Sequence, residues 1–511
     1  MKNKLPRWLL DLIFSLFSAL LLGVILAVFS VGNFFQSWLA LAGILWVSFF
    51  ALVRTWRYLG SARSLAIVLA VAFFVRIGMA VLVSAGLPVW GYDNPVNNAG
   101  FLYSDAYDRD QAAFKLASSD SSLFTAFTAP DKTDQYGGLL FLSAVTYRTL
   151  SPDADRPLLI SLLAALVMTL GIAFFWSAVQ KHWNLKIALI ASWILSLFPD
   201  SVFLGSSQMR EPFLIGLACI AFWAVLDWQK EPLKAFVISV ITLTLVCLFS
   251  LPAGGVIFAI LVAVVVLEAS LAQKKSLIRT VGFIILGVVG ITALVAGWMW
   301  LRSTIYYDSY TTWRQSGWIQ ELLLKYGNRW MIPFTSIYGL LQPVLPAAIT
   351  DSAVPFWRVI AILRSLGWYG ILPFLFFSLF SSIKAKSSDS KWILVLFNFA
   401  FMIWVVVSSM RAGGDEWDNP RYRYILLPFA ALLAAWSLDH YQRSHSPWFW
   451  RWVAVEGEFL LLFMVFYLNR YITLPIKLSL PVTVISILLL AVLILVGGWI
   501  WDVIKRQPQI T

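Results

Sequence analysis

The sequence predicts an all-α polytopic membrane protein with about 14 transmembrane helices. Of its 511 residues, 60% are hydrophobic and only 13% are charged, and the mean hydropathy is +0.80. A soluble globular chain has roughly 45–50% apolar and about 25% charged residues, so this chain lacks the side chains to cover a water-exposed surface. The 26 Trp and 17 Tyr residues suit aromatic belts at two membrane interfaces.

Apolar runs recur along the chain, and each is near the length of about 20 residues that crosses the hydrocarbon core as a helix. The predicted spans cover residues 8–30, 34–53, 64–86, 157–178, 186–204, 211–228, 234–251, 254–272, 278–300, 356–382, 391–409, 423–439, 451–468 and 482–501. We divide them into an N-terminal hairpin (1–63), a core (64–440) and a C-terminal hairpin (441–511).

The Lys and Arg residues predict the orientation of these helices, because cytoplasmic loops of membrane proteins are enriched in both. The N-terminal segment and every second loop are short and dense in cations. The opposite side has the longer segments 87–156 and 301–355 and a shorter one at 410–422, where cations are more widely spaced. We therefore expect cytoplasmic termini and three external segments in a bacterial inner membrane. The cations form no basic stripe, so nucleic acid is not an expected partner.

The first polar motif lies in segment 87–156, after the third predicted span. Asp105 and Asp108 are three residues apart, so one helical turn would put both carboxylates on one face. A partly desolvated carboxylate at a membrane edge suits a general base, and neighbouring carboxylates would also hold a divalent cation. The alternative interpretation is a solvated acidic loop that caps a helix.

Two further motifs carry arginines at predicted membrane edges. Arg210 and Glu211 begin the sixth span, where such a couple is costly unless it is paired or bound to a ligand. Glu211 could instead complement the helix dipole while Arg210 extends to the interface. Arg421, Tyr422 and Arg423 suit a phosphate and a sugar, since Arg grips two phosphate oxygens. An aromatic belt with interface cations is the alternative there.

Arg76 is isolated within the third span. An arginine at that depth usually faces the protein interior, and it would meet a carboxylate or a lipid phosphate.

In this order and spacing, the motifs resemble those of the GT-C polytopic glycosyltransferases, which include protein O-mannosyltransferases and lipid A aminoarabinose transferases. The family's first external loop has an acidic motif, matched by residues 104–108, and a short amphipathic stretch, matched by 136–150. A Glu-Pro pair follows at 211–212, and an Arg-Tyr pair before Leu-Pro is matched by 421–428. Ala106 departs from the Asp-Glu pair of many relatives, which leaves open whether Asp105 or Asp108 is the base.

The resemblance implies a glycosyltransferase that moves a sugar from a polyprenyl-phosphate donor to a glycan, lipid or protein acceptor on the external face. Asp105 and Asp108 are the predicted catalytic residues. The predicted substrate-binding residues are Arg76, Arg210, Glu211, Arg421, Tyr422 and Arg423. The resemblance leaves the need for a divalent cation open and implies no other cofactor.

Two other functions fit the same composition: a transporter or flippase for a lipid-linked sugar, and a polysaccharide polymerase or ligase. A transporter would show internal repeats and broken helices with polar residues at the midplane. An enzyme requires Asp105, Glu211 and Arg421 to converge on one site, closer than ~15 Å, which is about one and a half helix diameters.

Overall fold

The computed structural model describes residues 6–128, 134–272, 276–302, 305, 310, 317–350, 353–385, 389–412, 418–472, 475 and 477–506. Every regular element in these residues is helical. Parts of the predicted external segments 301–355 and 410–422 lie outside the described residues.

The helices are α1 (Arg7–Ala27), α2 (Phe34–Tyr58), α3 (Arg63–Trp90), α4 (Pro95–Asn98), α5 (Ser104–Ala117), α6 (Thr125–Thr128), α7 (Gly138–Leu150), α8 (Pro157–His182), α9 (Leu185–Leu197), α10 (Pro199–Gly205), α11 (Glu211–Leu226), α12 (Pro232–Phe249), α13 (Leu251–Ala272), α14 (Ser276–Arg302), α15 (Gly317–Tyr326), α16 (Met331–Leu341), α17 (Leu345–Thr350), α18 (Pro355–Lys384), α19 (Asp389–Ala412), α20 (Asp418–Arg423), α21 (Leu427–Ser444), α22 (Pro447–Tyr471) and α23 (Leu480–Arg506). Short 3-10 turns precede α16 and α21.

Eleven helices in the described residues are long and apolar enough to cross a membrane, so the predicted multi-pass helical fold is confirmed. The other three of the 14 predicted spans differ. The span at 186–204 is broken into α9 and α10, which are bent by 58° because Pro199 starts a new helix. Helix α11 has only 16 residues, and the 18-residue α21 ends in a polar turn. The described count is therefore 11, or 12 with the broken pair.

The helices belong to two compact units: residues 1–299 with 421–431, and residues 300–420 with 432–511. In the first unit α8 packs against α2, α3, α9 and α11. Gly171 and Gly216 allow α8 and α11 to approach closely, because a Cβ at Gly171 would lie 2.5 Å from the Gly216 Cα atom. The buried α8–α11 pair is the frame on which the residues before α11 are held.

Two short helices of the first unit, α5 and α7, pack against each other beside this frame. The Tyr147 hydroxyl on α7 donates a hydrogen bond to Asp110 on α5. Arg148 Nη2 donates to the Leu116 carbonyl at 2.7 Å, which satisfies an acceptor that the end of α5 leaves free. Helix α7 is itself seated on α12, where a Cβ at Gly138 would collide with the Leu248 backbone.

The second unit is joined by polar contacts between its own helices. The Tyr338 and Tyr467 hydroxyls, on α16 and α22, are 2.9 Å apart. Arg451 on α22 makes two 2.7 Å hydrogen bonds to Asp502 on α23. These bonds hold α16, α22 and α23 together, although α22 and α23 leave most of their apolar surface exposed.

Candidate functional site

Helix α5 presents the predicted acidic motif. Its buried residues Ala106, Arg109, Asp110 and Ala113 follow helical spacing and form one face. Asp105 lies in the first turn with 53% of its side chain exposed. Asp108 is exposed too and has no ion pair within the described part of the chain. The two carboxylates therefore differ in their surroundings, although they are only three residues apart.

Arg421 joins the first and third motifs. Its Nη1 lies 3.2 Å from Asp105 Oδ2, across 316 sequence positions, and its Nε lies 3.2 Å from Glu211 Oε1. The Arg421 side chain is 5% exposed and that of Glu211 is 1% exposed. All three residues belong to the first compact unit. The structure thus brings together Asp105, Glu211 and Arg421, which the enzyme hypothesis required.

Glu211 is the buried acid of this group, and it opens α11, where a carboxylate complements the helix dipole. Arg210 Nε lies 4.0 Å from Glu211 Oε1, so two guanidinium groups neutralise this carboxylate. Neither Glu211 oxygen accepts a hydrogen bond from the described residues. Buried polar atoms usually have hydrogen-bond partners.

Arg109 is a member of the site that sequence reasoning missed. Its side chain is buried, and Nη1 donates to the Gln208 carbonyl at 3.1 Å, just before Arg210. Burial lowers the pKa of Arg109, and the nearby carboxylate of Asp134 opposes this shift. The charges of Arg210, Glu211 and Asp105 also act on it, so Arg109 lies in the same electrostatic group. The sequence signal was its position four residues after Asp105, one helical turn along the same face.

The start of α7 borders the same group, and this part of the site was also missed. Asp134 accepts hydrogen bonds from the backbone N–H groups of Tyr136 at 3.2 Å and Leu140 at 3.0 Å, and so caps the helix. Gly137 has a φ of +77°, a conformation that favours glycine. The Arg210 guanidinium then lies 5.6 Å from the centre of the Tyr136 ring, within cation–π range.

Tyr422 and Arg423 flank Arg421 but differ in exposure. The Tyr422 hydroxyl lies 3.4 Å from Arg421 Nη2, and the guanidinium lies 5.2 Å from the centre of the Tyr422 ring. Arg423 is fully buried. Tyr422 therefore borders the group directly, while Arg423 presents no surface to solvent.

Arg76 is not part of this group. It is fully buried and donates from Nη1 to the Ser196 carbonyl at 3.2 Å, and from Nη2 to the Leu195 carbonyl at 3.1 Å and to Ser201 Oγ at 2.7 Å. These acceptors lie at the break between α9 and α10. A side chain at Gly205 would collide with Arg76, so the guanidinium fits tightly there. The structure places Arg76 in the interior, where it satisfies the end of a broken helix.

The described residues contain no group of three or more His, Cys, Asp or Glu side chains that could hold a metal. Asp105 and Glu211 both contact Arg421, whose guanidinium lies between them. This pair therefore does not fit a shared divalent cation, and the predicted cation stays a prediction.

No protein-family model and no curated protein sequence matches the chain. Among solved structures it is similar to the oligosaccharyltransferase AglB from Archaeoglobus fulgidus in complex with an inhibitory peptide and a dolichol-phosphate. The TM-score is 0.40 at 14% identity, and the match covers 85% of this chain and 55% of that chain. The apo form of the Archaeoglobus fulgidus oligosaccharyltransferase matches with a TM-score of 0.38 at 14% identity, over 84% and 54% of the two chains. This chain spans about half the length of those chains, and its activity has to be inferred from its own residues.

Proposed function

We propose that the protein is a glycosyltransferase that moves a sugar from a polyprenyl-phosphate donor to an acceptor on the external face of a bacterial inner membrane. One observation carries the proposal: the exposed carboxylate of Asp105 lies beside the guanidinium of Arg421, which is anchored on the buried Glu211. Sugar transfer needs a base for the acceptor and a cation for the departing phosphate. Both are present in one cluster of side chains. An attack from the side opposite the phosphate also requires Asp105 to leave Arg421, because the base and the leaving group then lie on opposite sides of the sugar.

In the proposed reaction Asp105 accepts the proton of the acceptor hydroxyl as its oxygen attacks the anomeric carbon. The bond between that carbon and the phosphate oxygen breaks, and its electron pair leaves with the lipid phosphate. Arg421 and Arg210 stabilise the negative charge of the leaving group. Glu211 contacts both guanidinium groups and holds them in place. The attack from the side opposite the phosphate inverts the anomeric configuration.

The charges around the site support a phosphate-bearing donor. Arg109, Arg210 and Arg421 converge from α5, the start of α11 and the C-terminal motif, and Arg210 is the most accessible, with 22% of its side chain exposed. The eleven candidate spans supply apolar surface for the polyprenyl chain. The glycan, lipid or protein that accepts the sugar is not specified by these residues.

The experiment that tests this function uses the purified full chain in lipid nanodiscs. Mass spectrometry of the purified protein detects a bound polyprenyl phosphate, and incubation with a labelled polyprenyl-phosphate sugar and membrane extract tests for transfer. We expect release of the lipid phosphate together with a new labelled product. If the donor stays intact under all acceptor conditions while a matched Asp105→Asn protein behaves identically, the protein is not this enzyme.

The flippase alternative has one observation in its favour: the broken span formed by α9 and α10, since transporters use broken helices at their sites. That break is filled by Arg76, whose donors bind neighbouring carbonyls and Ser201. The acidic and basic groups available to a substrate lie instead around Asp105 and Arg421. Movement of labelled donor across a vesicle membrane without any covalent change would favour the flippase.

A further inference from the structure

Arg421 contacts a carboxylate on each of two sides, and the two carboxylates differ in exposure. Nη1 contacts Asp105, whose side chain is 53% exposed, and Nε contacts Glu211, whose side chain is 1% exposed. Exposed ion pairs contribute little to stability, whereas losing one partner of a buried pair leaves an uncompensated charge. An incoming anion therefore displaces Asp105 from Arg421 more easily than Glu211.

A phosphate group would compete for the same atoms. A guanidinium holds a phosphate best through two parallel N–H bonds, and its Nη1 and Nη2 form one such edge. Nε of Arg421 lies 3.2 Å from Glu211 Oε1 without forming a hydrogen bond to it, and Nη2 lies 3.4 Å from the Tyr422 hydroxyl. Nη1, the other half of that edge, contacts Asp105 Oδ2 at 3.2 Å. The base and the phosphate therefore need the same donor.

We propose that the lipid phosphate replaces Asp105 on Arg421, so that donor binding frees the base and the acceptor is activated only afterwards. This inference rests on the proposed function, because it takes Asp105 as the base and a polyprenyl phosphate as the ligand. While Arg421 Nη1 contacts Asp105 Oδ2, that oxygen faces the guanidinium rather than an acceptor hydroxyl. Glu211 holds Arg421 in position during the exchange, so the phosphate arrives at a cation that is already placed.

The exchange gives the reaction an order. Without donor, Asp105 is paired and does not activate water or an acceptor hydroxyl efficiently. With donor bound, Asp105 takes the acceptor proton, the acceptor oxygen bonds to the anomeric carbon, and the sugar–phosphate bond breaks with its electrons on the phosphate. The phosphate that freed the base is thus also the leaving group.

Asp108 provides an internal reference for a test. It is exposed, lies three residues from Asp105 on α5, and has no ion pair among the described residues. The full chain in nanodiscs is treated with a water-soluble carbodiimide and an amine, and labelling of both carboxyls is quantified by peptide mass spectrometry. Undecaprenyl phosphate is the probe, undecaprenol and inorganic phosphate are the controls, and native mass spectrometry records binding of the lipid phosphate.

We expect undecaprenyl phosphate to raise the Asp105/Asp108 labelling ratio by about two- to fivefold, the factor that loss of an exposed ion pair allows. Undecaprenol should leave the ratio unchanged. A rise with inorganic phosphate at the same concentration would support the exchange and identify phosphate itself, rather than its lipid, as the ligand. In Arg421→Lys, whose ammonium cannot span both carboxylates, the ratio should be high from the start and insensitive to lipid.

The outcomes separate this inference from the proposed function. If the lipid phosphate binds and the labelling ratio does not change, the exchange is wrong while the donor site stands. A rise with undecaprenol overturns the exchange as well, because the phosphate would not be its cause. If no lipid phosphate binds, the proposed function fails and the exchange fails with it.

Discussion

Two buried arginines of the first compact unit, Arg421 and Arg76, have opposite surroundings, although the sequence suggested a substrate contact for both. Among the described residues Arg421 contacts the carboxylates of Asp105 and Glu211, of which Asp105 is exposed. Arg76 donates to backbone carbonyls and to Ser201, and it has no ion pair within the described residues. Carbonyls at a helix end need donors permanently, whereas an exposed carboxylate can be exchanged for a substrate anion. We therefore expect Arg421 to act on the substrate and Arg76 to stabilise the fold.

The largest expected effect comes from Asp105, the proposed base beside Arg421. Asp105→Asn removes the proton acceptor and keeps the shape of the side chain, so we expect transfer to fall by about 10²–10⁴-fold. The measurement is kcat of sugar transfer with nanodisc-reconstituted protein at matched amounts of folded enzyme.

Asp108→Asn is the matched control, because Asp108 is on the same helix and is exposed without an ion pair in the described chain. Its activity should stay within a few fold of the wild type. The reverse result, with full activity in Asp105→Asn and loss in Asp108→Asn, would assign the base to Asp108.

The next effect concerns the guanidinium itself. Arg421→Lys keeps the charge but loses the planar pair of donors, and we expect kcat to fall by about 10²–10³-fold, as for a lost donor to a developing anion. The protein should remain folded, since an ammonium still neutralises Glu211. Unchanged kcat in a folded Lys variant would show that bidentate binding at this position is not needed.

Substitution of Arg76 should lower the stability of the protein and leave kcat unchanged, which is the reverse of the expectation for Arg421. Arg76→Met removes the guanidinium donors from the Ser196 and Leu195 carbonyls. The Leu195 carbonyl keeps the Ser201 hydroxyl as a donor, so the cost of about 1–3 kcal/mol for a buried group without its donor falls mainly on Ser196. We expect a lower midpoint of thermal unfolding in detergent, with kcat per folded molecule unchanged. A normal midpoint combined with lost transfer would return Arg76 to the substrate-binding residues and would remove the contrast with Arg421.

The smallest effect concerns Asp110, which lies on the buried face of α5 and accepts a hydrogen bond from Tyr147 on α7. Burial raises the pKa of Asp110 from its ordinary value to about 7, and the hydrogen bond from Tyr147 opposes this shift. The folded state thus binds more protons than the unfolded state between pH 4 and about 7. The contribution of Asp110 to stability therefore decreases as pH rises through that range.

Asp110→Asn removes this titration, so its midpoint of unfolding should vary less between pH 4 and pH 7 than that of the wild type. Thermal unfolding of both proteins across this range measures the difference. If the two proteins have identical pH profiles, folding does not raise the pKa of Asp110.

The sequence predicted most of the helical architecture because hydropathy is a local property. Eleven of the predicted spans are long apolar helices of the described chain. Span 186–204 was predicted as one helix, since hydropathy does not register the bend that Pro199 introduces. The membrane edge at 210–211 was predicted through the Arg-Glu-Pro pattern. Arg109 was missed although it lies one helical turn after Asp105, because its spacing alone does not show which charges surround it. Asp134 stands in no motif, and only its position near Arg109 identifies it.

The sequence by itself determined that this is a multi-pass helical membrane protein, because long apolar runs are a local property of the chain. It also showed that the charges are concentrated in a few segments, since a charged side chain is costly within the hydrocarbon core. The tertiary structure alone decided which charges meet. The pairing of Asp105 with Arg421 spans 316 positions, and no local pattern encodes such a contact. It also assigned Arg76 to the broken helix, because the partners of a buried guanidinium are set by packing rather than by its neighbours in sequence.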